Sequence, residues 1–439
     1  MDVVVKISQF LLGLSILIVL HEAGHFFSAR LFKIKVEKFY LFFDPWFSLF
    51  KFKKGDTEYG IGWLPLGGYV KIAGMIDESM DKEAMKQPPQ PWEFRSKPTW
   101  QRLIVMIAGV TVNVILAMVI YSMVLFTWGT EILPTSNVKY GIYCDSTAIR
   151  MGLRNGDKIV SLDGKAIDNF DKISLGIVLD KARSIQVSRN GQQVNIPVTD
   201  NDISLILQDL GDFIQPRYPC EVDSVMPGTA AEKAGLKKGD FLVKIDSVST
   251  PSYQEFKAAI VKDSNKDITV TDSVKEQLTV LKAHVNKDGT LGFRAKSPID
   301  LLETRKTHYS FFGSIPAGIG LAKESLGSYV KQVKIIATVK GAAKQVGGFG
   351  TMLKAYGSVW NWQHFWMLTG FISIMLAFLN ILPIPALDGG HVLFLLYEMV
   401  TGRKPSDKFM EYAQWVGMII LLSLFVFANG NDIFKLFHK

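Results

Sequence analysis

The chain has 439 residues, 48% of them hydrophobic and 21% charged, with a mean hydropathy of +0.19 and a formal net charge of +8. That balance excludes a plain series of soluble domains: strongly apolar blocks must alternate with water-soluble ones, as in a membrane protein with soluble insertions. The excess of positive charge tracks the loops between the apolar blocks and carries no nucleic-acid signature.

The first apolar block runs from Val5 to Ala29 and is broken only by Lys6, Glu22 and the histidines His21 and His25. It has no small-residue cleavage site and reads as a retained span. The second block, Leu103 to Trp128, contains no charged residue. A third runs from Phe365 to Leu387 and a fourth from Tyr412 to Ala428, which makes four expected spans. Arg30, Lys33, Lys35, Lys38, Lys51, Lys53 and Lys54 follow the first block, and only Lys6 precedes it. The positive-inside rule therefore puts loop 30–102 in the cytoplasm, residues 130–360 outside, and loop 384–411, with Arg403, Lys404 and Lys408, back in the cytoplasm.

Within the external segment, "AIRMGLRNGDKIVSLDG" (148–164) matches "AEKAGLKKGDFLVKIDS" (231–247) at a constant offset of 83 residues. Gly152 pairs with Gly235, Gly156 with Gly239, Asp157 with Asp240 and Asp163 with Asp246, so one small unit occurs twice. Each copy reads as a short helix ending at glycine, a Gly-Asp turn and an alternating strand. The pattern resembles the bacterial form of PDZ domains, more fully in the second copy. The resemblance implies capture of an extended peptide by strand addition at a sheet edge. Cys144 and Cys220 lie in different copies and are expected to be two inert thiols. The stretch "YVKQVKIIATVKGAAKQV" (329–346) has apolar residues at helical spacing; a surface-lying amphipathic helix and a helix packed on the second repeat both fit it.

The first span carries "HEAGH", residues 21–25. His21 and His25 are four apart, so on a helix they lie one turn apart on one face and can bind a single metal, with Glu22 near enough to reach a water on it. Ionisable groups in a bilayer cost about 2.5–3.5 kcal/mol each at the helix centre, which metal coordination would offset. Zinc held by two histidines needs a third protein ligand and an open position. In "NILPIPALDGGHVL" (380–393) Asp388 is the candidate, a lone carboxylate beyond two prolines, and His391 competes with it.

"HEAGH", taken with Asn380, Pro383, Pro385, Asp388, Gly389, Gly390 and His391, resembles the site-2 protease family of intramembrane zinc metalloproteases. Tandem PDZ-like units between the second and third spans resemble its RseP-type bacterial branch, regulators of envelope stress. The resemblance implies one Zn²⁺ per chain held by His21, His25 and Asp388, with Glu22 as the catalytic glutamate. "AGVTVN" supplies Gly109 and Asn113 at the family's G-x-x-x-N spacing, and "GIGWLPLGGYVKIAG" (60–74) resembles a β-hairpin loop dipping into the membrane near the site. Asn380, Pro383, Pro385, Gly67, Gly68 and Asn113 are the implied substrate-binding residues, with a strand edge around Leu66–Val70. Implied substrates are single-pass membrane proteins, among them trimmed anti-sigma factors and remnant signal peptides. The implied location is a bacterial inner membrane, with both termini and the PDZ-like pair outside and the site in the cytoplasmic half.

The expected fold is thus a multi-pass α-helical membrane protein with four transmembrane helices, a membrane-associated β-hairpin or sheet and two external PDZ-like α+β domains. Its expected parts are a first span over 1–33, a β region over 34–100, a second span over 101–129, PDZ-like domains over 130–212 and 213–300, and a linker with amphipathic helices over 301–361. The third span with the aspartate follows over 362–390, then a cytoplasmic loop over 391–411 and the fourth span over 412–430. A membrane-anchored peptide-binding scaffold with a non-catalytic zinc is the alternative from another functional class.

Overall fold

The computed structural model describes residues 2–65, 67–75, 88–208, 210–274 and 277–437. The chain divides into two compact units, one of residues 1–129, 308–333 and 344–439 and the other of 130–307 and 334–343.

Among the described residues, four helices of the first unit are long and apolar enough to cross a membrane. Helix α1 (Asp2–Leu31) and helix α2 (Thr99–Trp128) have 30 residues each, about 45 Å of helix. Pro98 precedes α2, where its missing N–H costs nothing, and Gly129 closes it at φ 71°, donating its N–H to Leu125. Helix α3 (Phe311–Thr338) and the short α4 (Phe349–Ala355) come before α5 (Trp362–Ile381), α6 (Asp388–Thr401) and α7 (Asp407–Phe437).

Helix α2 forms the centre of the packing, and small residues let its neighbours close on it. A β-carbon on Gly24 of α1 would stand 2.7 Å from the Ala108 carbonyl, and one on Gly370 of α5 would stand 2.8 Å from the Tyr121 ring. Ser373 of α5 donates to the Asn113 carbonyl at 2.8 Å inside this contact. Ser325 of α3 donates to the hydroxyl of the same Tyr121 at 3.2 Å.

Two sequence expectations change here. The third apolar block is not one span: α5 ends at Ile381, and Asp388 opens α6 rather than ending the third span. Pro383 and Pro385 supply no N–H to continue the helix, and the residue before each proline is forced out of helical geometry. What was expected as a cytoplasmic loop over 391–411 is mostly the 14-residue α6, and the last helix starts five residues earlier and ends seven later than 412–430.

Between α1 and α2 in the chain lies a four-stranded sheet, where a β-hairpin or sheet was expected. Its strands are β1 (Val36–Leu41), β2 (Phe43–Lys54), β3 (Thr57–Leu64) and β4 (Tyr69–Ile72), in the order β2-β3-β1-β4. β1 runs parallel to β3 and antiparallel to β4. Strand β4 is therefore an edge. Leu66, at one end of the strand edge expected from sequence, lies outside the described residues.

The second unit holds the repeat, with one apolar core per copy. Matching positions do matching work. Gly152 and Gly235 are left-handed at φ 103° and 84°, and Gly156 and Gly239 at 92° and 91°. Asp157 accepts the Arg154 N–H at 2.9 Å, and Asp240 accepts the Lys237 N–H at 2.7 Å. Asp163 and Asp246, at φ 47° and 49°, accept the backbone N–H groups of Ser184 at 2.8 Å and Thr269 at 2.7 Å. Cys144 and Cys220 are free and buried in separate cores.

The expected boundary between copies at 212/213 moves. Phe213 and Ile214 are buried in the first core, because strand Ile214–Pro216 pairs with Ile142–Cys144. Leu302 also joins that core, and Arg305–Thr307 pairs with Thr130–Ile132. Ile335 and Ala342 complete it, so the helical stretch around them packs on the first repeat rather than the second. Ser204 donates to the Lys340 carbonyl at 2.8 Å in the same place. The first copy is thus closed by chain that follows the second.

Candidate metal centre

On α1, His21 and His25 are one turn apart, and their Nε2 atoms come within 3.3 Å of each other. Asp388 Oδ2 stands 3.2 Å from His21 Nε2 and 3.3 Å from His25 Nε2. These three form a group able to hold a metal ion among the described residues. His391 lines the same cavity but is not part of that group.

The residues fit a zinc ion on geometric and chemical grounds. Ligands 2.0–2.1 Å from a tetrahedral zinc stand about 3.3 Å from one another, the spacing seen here. His25 Nδ1 is 2.8 Å from the Val105 carbonyl, an acceptor only, so that nitrogen carries the proton and Nε2 offers a lone pair. The Asn113 amide lies 3.1 Å from His21 Nδ1, while Asn113 Oδ1 is buried with no donor. Turning that amide over lets Oδ1 accept from an Nδ1–H of His21, which satisfies both groups and frees the second Nε2. Asp388 Oδ2 is itself buried without a hydrogen-bond donor. Three lone pairs then converge on one point, which is stable only around a cation.

Backbone shape brings these groups together. Ala386 takes a left-handed φ of 81° between the prolines and Asp388, which turns the chain so that α6 begins at the carboxylate. A carboxylate in the first turn also suits the positive end of a helix dipole. Gly390 abuts the loop, where a β-carbon would lie 2.6 Å from Pro385 Cα, and Gly417 of α7 touches the Pro385 carbonyl so closely that a β-carbon would fall 1.5 Å from it. On the other side Gly109 admits the histidines: a β-carbon there would sit 2.3 Å from His25 Nε2.

A cavity of about 600 Å³ opens on the cluster, lined among others by Glu22, Gly67, Gly68, Asn113 and Asn380. Glu22 faces it next to the three converging groups without joining them. Asn380 places its amide 3.3 Å from His21 Nε2. Of the residues expected to contact substrate, Pro383 and Pro385 are not among those lining the cavity; they shape the loop that carries Asp388. Tyr69, inside the strand edge expected from sequence, lines it too, while sequence reasoning did not single out Phe43 and Gln414, which also line it. Gln414 left a signal, as an amide near the start of the fourth apolar block, Tyr412 to Ala428.

A model of peptidase family M50 matches residues 9–424. The chain is 29% identical over 468 aligned residues to Protease RseP of Yersinia pestis, covering 99% of the chain and 100% of that protein. It is 27% identical to the Regulator of sigma E protease of Haemophilus influenzae, over 98% of the chain and 99% of that protein. A putative zinc metalloprotease of Rickettsia conorii is 28% identical, over 98% of the chain and 99% of its own length. With a match that runs almost end to end, this chain belongs to peptidase family M50, the intramembrane zinc metalloproteases.

Proposed function

We propose that His21, His25 and Asp388 hold the zinc and that Glu22 is the general base in hydrolysis of peptide bonds within or near transmembrane segments. The observation that carries this reading is the convergence of two imidazole nitrogens and one carboxylate oxygen, each 3.2–3.3 Å from the others. When bound, zinc supplies a Lewis acid that polarises a carbonyl and lowers the pKa of water to about 7. The Glu22 carboxylate takes a proton from the attacking water and returns it to the leaving amine. A helical substrate must unwind first, since its carbonyls are hydrogen-bonded. Edge strand β4 offers the unwound segment main-chain partners, Gly67 and Gly68 let the backbone before β4 close against Phe43 and Ile18, and Asn380 holds the backbone of that segment.

The substrates in this reading are single-pass membrane proteins of the anti-sigma-factor type and remnant signal peptides, in regulated intramembrane proteolysis. The repeat is a PDZ pair that acts outside the membrane as a size filter, admitting trimmed ectodomains. In this reading both termini and that pair lie on the external face of a bacterial inner membrane. Support comes from the lysines flanking the first span and from the relatives named for sigma E regulation.

The test combines zinc content with cleavage of a reporter transmembrane helix. Wild type and Glu22→Gln should both hold one zinc, and only wild type should cut. Cleavage by Glu22→Gln at the wild-type rate would remove the base, and full zinc occupancy in Asp388→Ala would remove the third ligand. Replacing residues 130–307 by a short linker should allow untrimmed substrate to be cut; continued refusal would retire the filter.

A further inference from the structure

Strand β4 has only four residues and pairs on one side with β1, through Val36↔Ile72, Lys38↔Lys71, Phe39↔Val70 and Tyr40↔Tyr69. A bulge interrupts that pairing between Val36 and Lys38. Its far end is held by buried Ile72 and by the Lys71–Glu37 ion pair at 3.4 Å, which leaves its start at Tyr69 to be held from elsewhere, and its residues line the cavity beside the metal cluster. A strand that receives another chain must be held at one height, because a slip of one residue reverses every side chain it presents.

The hold comes from the opposite edge of the sheet. Phe42, at a left-handed φ of 67°, turns the chain from β1 into β2 and brings Asp44 to the end of the sheet where β4 begins. There the Tyr69 hydroxyl donates to Asp44 Oδ1 at 2.9 Å. Asp44 Oδ2 accepts from Ser48 at 3.0 Å, and Ser48 lies 3.4 Å from the Tyr40 hydroxyl, which donates to Glu58 at 2.8 Å. The Tyr69 ring stacks on Tyr40, with centroids 5.3 Å apart, and on Phe43, 6.1 Å apart. Asp44 therefore links the two outer strands, β2 and β4, which are not neighbours in the sheet.

We infer that Asp44 is a positioning residue for substrate binding: through the Tyr69 hydroxyl it sets where β4 meets the substrate chain. The inference rests on the reading that β4 receives the unwound substrate. Asp44 is not among the residues lining the cavity and acts through Tyr69, which is. A charge-assisted bond from a phenol to a carboxylate is strong enough to hold a short strand.

Steady-state cleavage of a reporter transmembrane substrate in detergent, with zinc content measured alongside, tests it. Asp44→Ala and Tyr69→Phe should each raise KM about fivefold while kcat stays within about twofold, the mark of a binding contact equal in ground and transition states. The double variant should be no worse than either single one, because both remove the same bond. Asp44→Asn should keep KM within about twofold of wild type, since its carbonyl oxygen still accepts from Tyr69. Zinc should be unchanged throughout. Additive effects in the double variant, an effect confined to kcat, or wild-type KM in both single variants would overturn the inference. If Asp44→Ala loses zinc and fails to fold, Tyr69→Phe, which keeps the ring stack, decides alone. A synthetic substrate N-methylated at the backbone positions facing β4 tests the underlying reading separately. If methylation changes nothing, strand addition itself falls; if methylation blocks cleavage while the Asp44 and Tyr69 variants keep wild-type KM, Asp44 alone loses its role.

Discussion

Gly109 of α2 lies against His25 of α1 with no room for a methyl group between them: a β-carbon would be 2.3 Å from His25 Nε2 and 2.8 Å from His21 Cε1. Gly109→Ala is therefore expected to displace the imidazoles rather than merely crowd them. Overpacking of this kind costs about 1–3 kcal/mol, and here it falls on His21 and His25, the proposed metal ligands. Zinc in the purified variant should drop to background while its helical circular dichroism is retained. Stoichiometric zinc in Gly109→Ala would contradict the close approach.

Asn113 orients His21 from outside the ligand set. Removing such a partner commonly weakens metal binding by about 10- to 100-fold. Asn113→Ala should show that loss in competition with a chelator, and cleavage should return when zinc is added in excess. Unchanged affinity would mean that His21 is oriented by something else.

Gly417 of α7 meets the Pro385 carbonyl in the loop that carries Asp388. Gly417→Val should push that loop away and lower both zinc retention and cleavage, although residue 417 is not among those lining the cavity. A variant at the neighbouring exposed Val416, Val416→Ala, should behave as wild type. Equal behaviour of the two variants would show that α7 does not support the loop.

Burial, reinforced by the charges of Asp157 and Asp145, pushes the Cys144 thiol up to about 12, and burial raises Cys220 as well. A thiol whose folded pKa lies above its unfolded value favours the folded state below about pH 8.5, and that contribution is lost as pH rises toward 12. Thiol reagents at pH 8 should leave both cysteines of the native protein unmodified and label both after denaturation. Labelling of native Cys144 at pH 8 would show that the first core opens readily.

The parts of the site legible in the sequence are those written in side-chain chemistry. Two histidines four residues apart in an apolar helix imply a shared metal, and a lone carboxylate after two prolines is a natural third ligand. The contacts that make room for them were not legible. Gly109 and Gly417 act through atoms they lack, and nothing local shows which groups will press against them, the histidine rings on one and the Pro385 backbone on the other. The span boundaries shifted for a related reason: "HVLFLLYEMV" (391–400) has helical spacing, but counting charges across spans assigned it to a loop. The parallel pairing of β1 with β3 and the closure of the first repeat by residues 302–342 depend on contacts between distant segments, which no window of sequence displays.

That closure also fixes an order of events during synthesis. The second repeat is continuous, its core drawn from Cys220 to Leu291 and its last strand from Phe293–Ala295. The first lacks Leu302, Ile335 and Ala342 until well after the second has emerged. As the chain is made from its N-terminus, the later copy can finish folding while the earlier one still waits for its missing pieces. The domain written first is completed last.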